Sequence, residues 1–187
     1  MGATPWSDAA KLRGHPTHTV ELEAQIEPTF ELPGLPPGRV HHVAVVVRDL
    51  DLALGFYRDR LGLPLELVLP IPGDGVRIAF LTVGESKIEL VEPTDASTGV
   101  ARFLDSRGEG FHHVCLEVAD IGAELTRLAG QGIELIDHAP RPGAEGPVAF
   151  IHPRSCHGVL VELIEVEGGP AWTELGIRPL SQQANQP

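Results

Sequence analysis

Two pairs of adjacent histidines carry the chemistry of this chain: His41–His42 in "RVHHVAVVV" and His112–His113 in "GFHHVCLEV". A glutamate follows each pair at a similar remove, Glu89 in "IELVE" and Glu162 in "VELIE". Imidazole nitrogen and carboxylate oxygen are ligands of borderline divalent ions such as Zn, Co, Ni, Fe or Mn. Four such ligands leave two positions of an octahedral ion for water or a bidentate substrate. A single histidine in a strand is more often structural, and that reading is kept for His41, His112, His138, His152 and His157. What favours a shared site is the duplication of both residue types in one order.

The elements that must position these residues are duplicated too. Val40 aligns with Phe111, His42 with His113 and Asp49 with Asp120, each 71 positions apart. Glu89 aligns with Glu162 at a spacing of 73. Each unit reads as a strand (40–47; 111–118), an Asp N-cap, and an amphipathic helix. The first helix presents Leu50, Leu54, Phe56, Tyr57 and Leu61, and Gly62 and Gly132 stop the two helices. Three more strands follow, near 65–70, 76–83 and 86–92 in one unit and near 133–138, 148–152 and 158–166 in the other. The fold class is therefore α+β: two βαβββ modules, about 40–93 and 111–167, forming one curved sheet with helices outside and a concave metal-binding cup inside.

Strict alternation along a strand assigns directions. His113 shares a face with Cys115 and Glu117, whereas His112 goes with the apolar Val114, Leu116 and Val118. So His42 and His113 are expected in the cup, with His41 and His112 packing inward or at a strand end. Glu89 and Glu162 point away from their apolar neighbours into the same cup, and Cys115 lines it without coordinating. Cys156–His157 follows Pro153 and reads as a loop.

The flanks differ from the repeat. Residues 1–38, with "ELPGLPPG" at 31–38, read as an N-terminal extension, and residues 168–187 as a C-terminal tail. Within the 187 residues, 26 acidic against 14 basic side chains give a net charge of −12, which argues against nucleic acid and anionic membranes. No apolar run is long enough to span a bilayer, no secretory layout opens the chain, and two cysteines are too few for a disulfide scaffold. A cytoplasmic protein with reduced thiols is expected.

The fragments "HHVAVVVRDLDLALGFY", "GVRIAFLTVGESKIELVEP", "GFHHVCLEVADI" and "VAFIHPRSCHGVLVELIEV" resemble the vicinal oxygen chelate (glyoxalase-like) superfamily over 39–167. Within it they are most similar to the methylmalonyl-CoA epimerase family. His152-Pro153, a short spacer and Gly158 to Leu163 are the most specific part. The resemblance implies metal binding by His42, Glu89, His113 and Glu162, with a divalent ion from among Co, Zn, Mn, Ni and Mg. It implies epimerisation of (2R)- and (2S)-methylmalonyl-CoA with Glu162 and Glu89 as catalytic bases, and a homodimer. Some bacterial members carry a further glutamate where this chain has Ile78, after "GDGVR", so the second base falls to Glu89. Arg107, Arg154 and Lys87 are available to the anionic CoA tail. A glyoxalase I-like isomerase acting on glutathione hemithioacetals, or a non-catalytic binder of small molecules, are the alternatives.

Overall fold

The computed structural model describes residues 37–166. The expected C-terminal tail, and the N-terminal extension up to residue 36, lie outside the described residues. One eight-stranded mixed sheet curls into a half-barrel, with strand order β2-β3-β4-β1-β5-β8-β7-β6. The first module comprises β1 (Val40–Val46), α1 (Leu50–Tyr57), β2 (Leu65–Ile71), β3 (Val76–Val83) and β4 (Ser86–Pro93). The second comprises β5 (Gly110–Val118), α3 (Ile121–Gly130), β6 (Arg141–Pro142), β7 (Pro147–Ile151) and β8 (Leu160–Glu165). In each module the first strand runs parallel to the last, and the two modules join through the antiparallel pair β1–β5 at the centre.

Both outer helices start where an aspartate side chain caps them. Asp49 accepts from the Leu52 N–H at 2.9 Å, and Asp120 from the Ala123 N–H at 2.8 Å. Past α3, Gly132 takes a left-handed φ of 79° that most side chains resist. On the convex side, Leu50 and Leu54 pack with Ala79, Leu81 and Leu90, while Ile121 and Leu125 pack with Ala149, Ile151 and Leu163. Each buried leucine or isoleucine contributes about 1.5–3 kcal/mol by leaving water.

Two expectations are corrected, and one element went unread. α1 ends at Tyr57, not near 61, and Phe56 and Leu61 stay exposed, so only the N-terminal part of the expected apolar face is buried. The segment 133–138 is not a strand and makes one isolated bridge, Leu135 with Ile151. The Asp137 carboxylate accepts the Phe150 N–H at 2.9 Å and so takes a donor that a continuous ladder along 133–138 would use. Finally, the linker between modules contains a helix, α2 (Gly99–Arg107), capped by Thr98, whose hydroxyl accepts from Ala101 N–H at 3.1 Å. Thr98, the spacing of Val100, Ala101 and Leu104, and Gly108 past the end were the available signals.

Candidate active site

The register at the centre of the sheet builds the site. In one cross-strand row Glu89 of β4 lies beside Ala44 of β1, and Ala44 beside His113 of β5. In the neighbouring row His42 of β1 lies beside Cys115 of β5, and Cys115 beside Glu162 of β8. Each module therefore supplies one histidine and one glutamate, and a small residue sits between the large ones in each row. Ala44 and Cys115 have no exposed surface and leave room above them for the four ligand-type side chains. Cys115 was expected to line the cup; it stands in the row beneath it, fully buried, and packs against Val148 and Ile164, which line the cleft in its place.

His42, Glu89, His113 and Glu162 are all buried. His42 Nε2 is 3.1 Å from His113 Nε2 and 3.0 Å from Glu162 Oε2, and His113 Nε2 is 3.1 Å from the same oxygen. Glu89 Oε2 faces both rings, at 3.3 Å from His42 and 3.6 Å from His113. Adjacent ligand atoms held about 2.0–2.2 Å from one ion at right angles are about 3 Å apart. The donor set and these separations therefore fit a divalent ion, with His42, His113 and Glu162 as the tightest group. The charges are mutually arranged. Burial works against a charged His42, but the Glu162 and Glu89 carboxylates outweigh it and raise its pKa to about 9. Burial likewise opposes charge on Glu162, yet His113 and His42 hold its carboxyl well below the usual range. A second trio, His41, His42 and Cys115, also lies within ligating distance. Burial, with Glu162 and Glu89 nearby, pushes the Cys115 thiol far up, and this trio, unlike the first, contains no carboxylate.

His41 and His112 do not follow strict alternation, and the cause is local. Between Val40 and His42, β1 advances two residues while β5 advances one, so His41 is a bulged residue. Between Phe111 and His113, β5 advances two while β1 advances one, which makes His112 its counterpart. A bulge re-aims its side chain. His41 Nδ1 thus reaches His42 Nδ1 at 2.9 Å, and His112 Nδ1 reaches His113 Nδ1 at 2.8 Å. Beyond this contact the pairs diverge. His41 Nε2 lies 3.5 Å from Glu145 Oε2, and Glu145 also pairs with Lys87. His112 borders the cleft, its ring edge-on to Phe103 of α2 at 5.0 Å between centroids. Burial and the neighbouring His113 lower its pKa to about 4, so it is neutral near pH 7.

The four clustered residues sit at the floor of a cleft of about 590 Å³. Two phenylalanines flank them symmetrically: Phe80 of β3 stands 5.3 Å from the His42 ring, and Phe150 of β7 5.2 Å from the His113 ring. Sequence reading missed this pair, although Ala79-Phe80 and Ala149-Phe150 repeat like the histidines. Ile78 lines the cleft beside Phe80 and supplies no proton-transfer group. Of the expected basic residues, only Arg107 borders the cleft. Lys87 is engaged between Glu66 and Glu145, and Arg154 is exposed and pairs with Glu134 at 3.2 Å. Arg102 and Arg141, not singled out from the sequence, also line the cleft, and Arg141 spans its mouth to Asp74 at 2.9 Å. Among the described residues, no helix is long and apolar enough to cross a membrane.

Comparison with known proteins agrees with this architecture. The family model described as "Glyoxalase/Bleomycin resistance protein/Dioxygenase superfamily" matches residues 41–150. A mouse mitochondrial methylmalonyl-CoA epimerase is 43% identical over 128 residues, covering 67% of this chain and 72% of that protein. An ethylmalonyl-CoA/methylmalonyl-CoA epimerase of Cereibacter sphaeroides is 40% identical over 132 residues, covering 69% of this chain and 98% of that one. A solved structure of a methylmalonyl-CoA epimerase in complex with methylmalonyl-CoA and NH4+ superposes with a TM-score of 0.69 at 32% identity, covering 72% of this chain and 99% of that one. The duplicated modules, the histidine and glutamate cluster they bring together, and these similarities all agree: the chain belongs to the glyoxalase/bleomycin resistance protein/dioxygenase superfamily and, within it, to the methylmalonyl-CoA epimerase family.

Proposed function

We propose that this protein interconverts (2R)- and (2S)-methylmalonyl-CoA, with His42, Glu89, His113 and Glu162 as the ligands of a divalent ion and Glu162 and Glu89 as the two proton-transfer groups. The observation that carries this reading is the convergence of two histidines and two glutamates, one of each from each module, on one buried point of the cleft floor. The superfamily and the N/O donor set point to a divalent metal; Co, Zn, Mn, Ni and Mg are the ions to compare. Such an ion, when bound, would act as a Lewis acid toward the substrate's thioester and carboxylate oxygens.

Inversion at C2 requires that a proton leave one face of the carbon and that another arrive on the opposite face. Glu162 on β8 and Glu89 on β4 reach the site from opposite modules, which suits them to serve opposite faces. Ile78 contributes no third carboxylate, so Glu89 is assigned the second role. Phe80, Phe150 and Ile78 line an apolar surround that limits water at the reacting carbon. Arg102 and Arg107 offer cationic partners to the anionic CoA portion, despite the chain's net charge of −12, whereas Arg141 is already paired with Asp74.

The direct test is to incubate the metal-loaded protein with one epimer and follow its conversion to a mixture of both by chiral analysis. Conversion of a glutathione hemithioacetal instead, with the acyl-CoA left untouched, would contradict the reading. A homodimer is the assembly proposed, because among the described residues no strand pairs with the outer edge of β2, and Leu52, Phe56 and Leu61 are exposed. Light scattering at micromolar concentration tests this, and a monomer would refute it.

A further inference from the structure

The two bulged histidines end in different places, and that difference assigns a role to one of them. A histidine that ligates through Nε2 keeps its single proton on Nδ1. His42 and His113 both present Nε2 to the cluster, so in the ligating state each carries an Nδ1–H. Each Nδ1–H meets the Nδ1 of the preceding histidine at 2.8–2.9 Å. Hydrogen-bond balance requires that receiving nitrogen to be a lone pair, which moves the proton of the neutral ring to Nε2. Ligation by the second histidine of each pair thereby fixes an Nε2–H on the first.

For His41 that proton has a destination within the protein. Glu145 Oε2 is buried, has no hydrogen-bond partner of its own, and lies 3.5 Å from His41 Nε2. The carboxylate thus orients His41 from behind, as second-layer carboxylates do for ligating histidines. For His112 there is no such group. Among the described residues its Nε2 has no hydrogen-bond or ion-pair partner, and the nitrogen is not among the buried unsatisfied atoms. The ring itself borders the cleft next to His113, held edge-on by Phe103. A donor fixed in direction by its neighbours, unpartnered by protein and facing the cleft is placed to meet a bound ligand.

We propose that His112 is a substrate-contacting residue, whose Nε2–H donates a hydrogen bond to an oxygen of a malonyl-type acyl group bound in the cleft. His41, its pseudo-symmetric counterpart, is a positioning residue closed off by Glu145. The assignment rests on the acyl-CoA reading given above.

Two substitutions separate the two ends of the imidazole. In His112→Asn the amide oxygen can stand in for Nδ1 and still accept from His113, but the donor toward the cleft is removed. In His112→Gln the amide nitrogen can stand in for Nε2, while the acceptor for His113 is lost. The probes are Zn2+ alone and malonyl-CoA, which has the two carbonyl groups and no stereocentre to turn over. Calorimetry should find that His112→Asn binds Zn2+ like wild type but binds malonyl-CoA about 10- to 100-fold more weakly, the range for a hydrogen bond to a charged oxygen. His112→Gln should show the reverse, with Zn2+ affinity reduced about 10-fold or more and malonyl-CoA binding at saturating Zn2+ largely kept. Imidazole 15N NMR of the Zn2+-loaded wild type, which needs no variant, should place the His112 proton on Nε2. A proton on Nδ1 of His112, or malonyl-CoA binding by His112→Asn as tight as wild type, overturns the assignment while leaving the acyl-CoA reading intact. Failure of the wild type to take up malonyl-CoA at all would instead remove the acyl-CoA reading, and the assignment with it.

Discussion

The two modules repeat the same ligand geometry but surround it differently. In the first, β2 runs for seven residues, the bulged His41 is buried, and Glu145 and Lys87 close the space behind it. In the second, the matching edge strand β6 has only two residues, and the bulged His112 borders the cleft against α2, a helix the first module lacks. Duplication thus produces a near-symmetric floor, while the departures from symmetry lie around its rim. A symmetric cluster suits an ion, which has no handedness to read. A substrate with one stereocentre and one long anionic tail requires an asymmetric surround. On the proposed function, the symmetric part binds the ion and the asymmetric part orients the acyl-CoA.

The largest expected effect breaks the symmetric floor. His42→Ala and His113→Ala should each lose stoichiometric metal after dialysis, and turnover should fall by about 10²-fold or more, since a lost ligand forfeits several kcal/mol. Elemental analysis checks it; full metal content in both variants would remove the cluster from consideration. Next, Glu89→Gln distinguishes the two carboxylates. It should keep the metal while kcat falls about 10²–10⁴-fold, the usual contribution of a positioned general base. Glu162→Gln should weaken metal binding and turnover together. Near-normal epimerisation by metal-loaded Glu89→Gln would place the second base elsewhere.

A smaller effect concerns the closed rim. Glu145→Gln weakens the hold on His41 and should reduce metal affinity about 10- to 100-fold, as loss of an outer partner does. An unchanged affinity, measured by competition with a chelator, would make Glu145 a spectator. The smallest effect concerns the layer beneath. Cys115→Leu inserts bulk between His42 and Glu162 in a fully packed row, and should cost about 1–3 kcal/mol of stability by overpacking. Cys115→Ser, by contrast, keeps the volume. Thermal unfolding of the two variants side by side tests whether size at this position matters.

Much of this comparison is legible in the sequence. The repeat of His and Glu, the aspartate caps and the βαβββ order follow from pattern, because periodicity and capping are local properties. The directions of His42, His113, Glu89 and Glu162 followed from alternation, which holds where the ladder is regular. His41 and His112 escaped it because a bulge is a property of two strands in register, not of one sequence segment. The same limit hid Arg141 and Glu145, whose neighbours across the cleft are far away in sequence. The segment 133–138 read as a strand by its apolar residues, but Asp137 takes the Phe150 N–H that a ladder would have used. Helix α2 was readable from Thr98 and Gly108 and was overlooked between two stronger signals.

On the proposed function, this cluster removes and returns the C2 proton of a methylmalonyl thioester. The most direct test is solvent exchange: methylmalonyl-CoA incubated in D2O with metal-loaded protein, with deuterium at C2 followed by mass spectrometry. The expected result is wash-in at C2 that a chelator abolishes and re-added metal restores. A metal-loaded, folded protein that leaves the C2 proton unexchanged would contradict it.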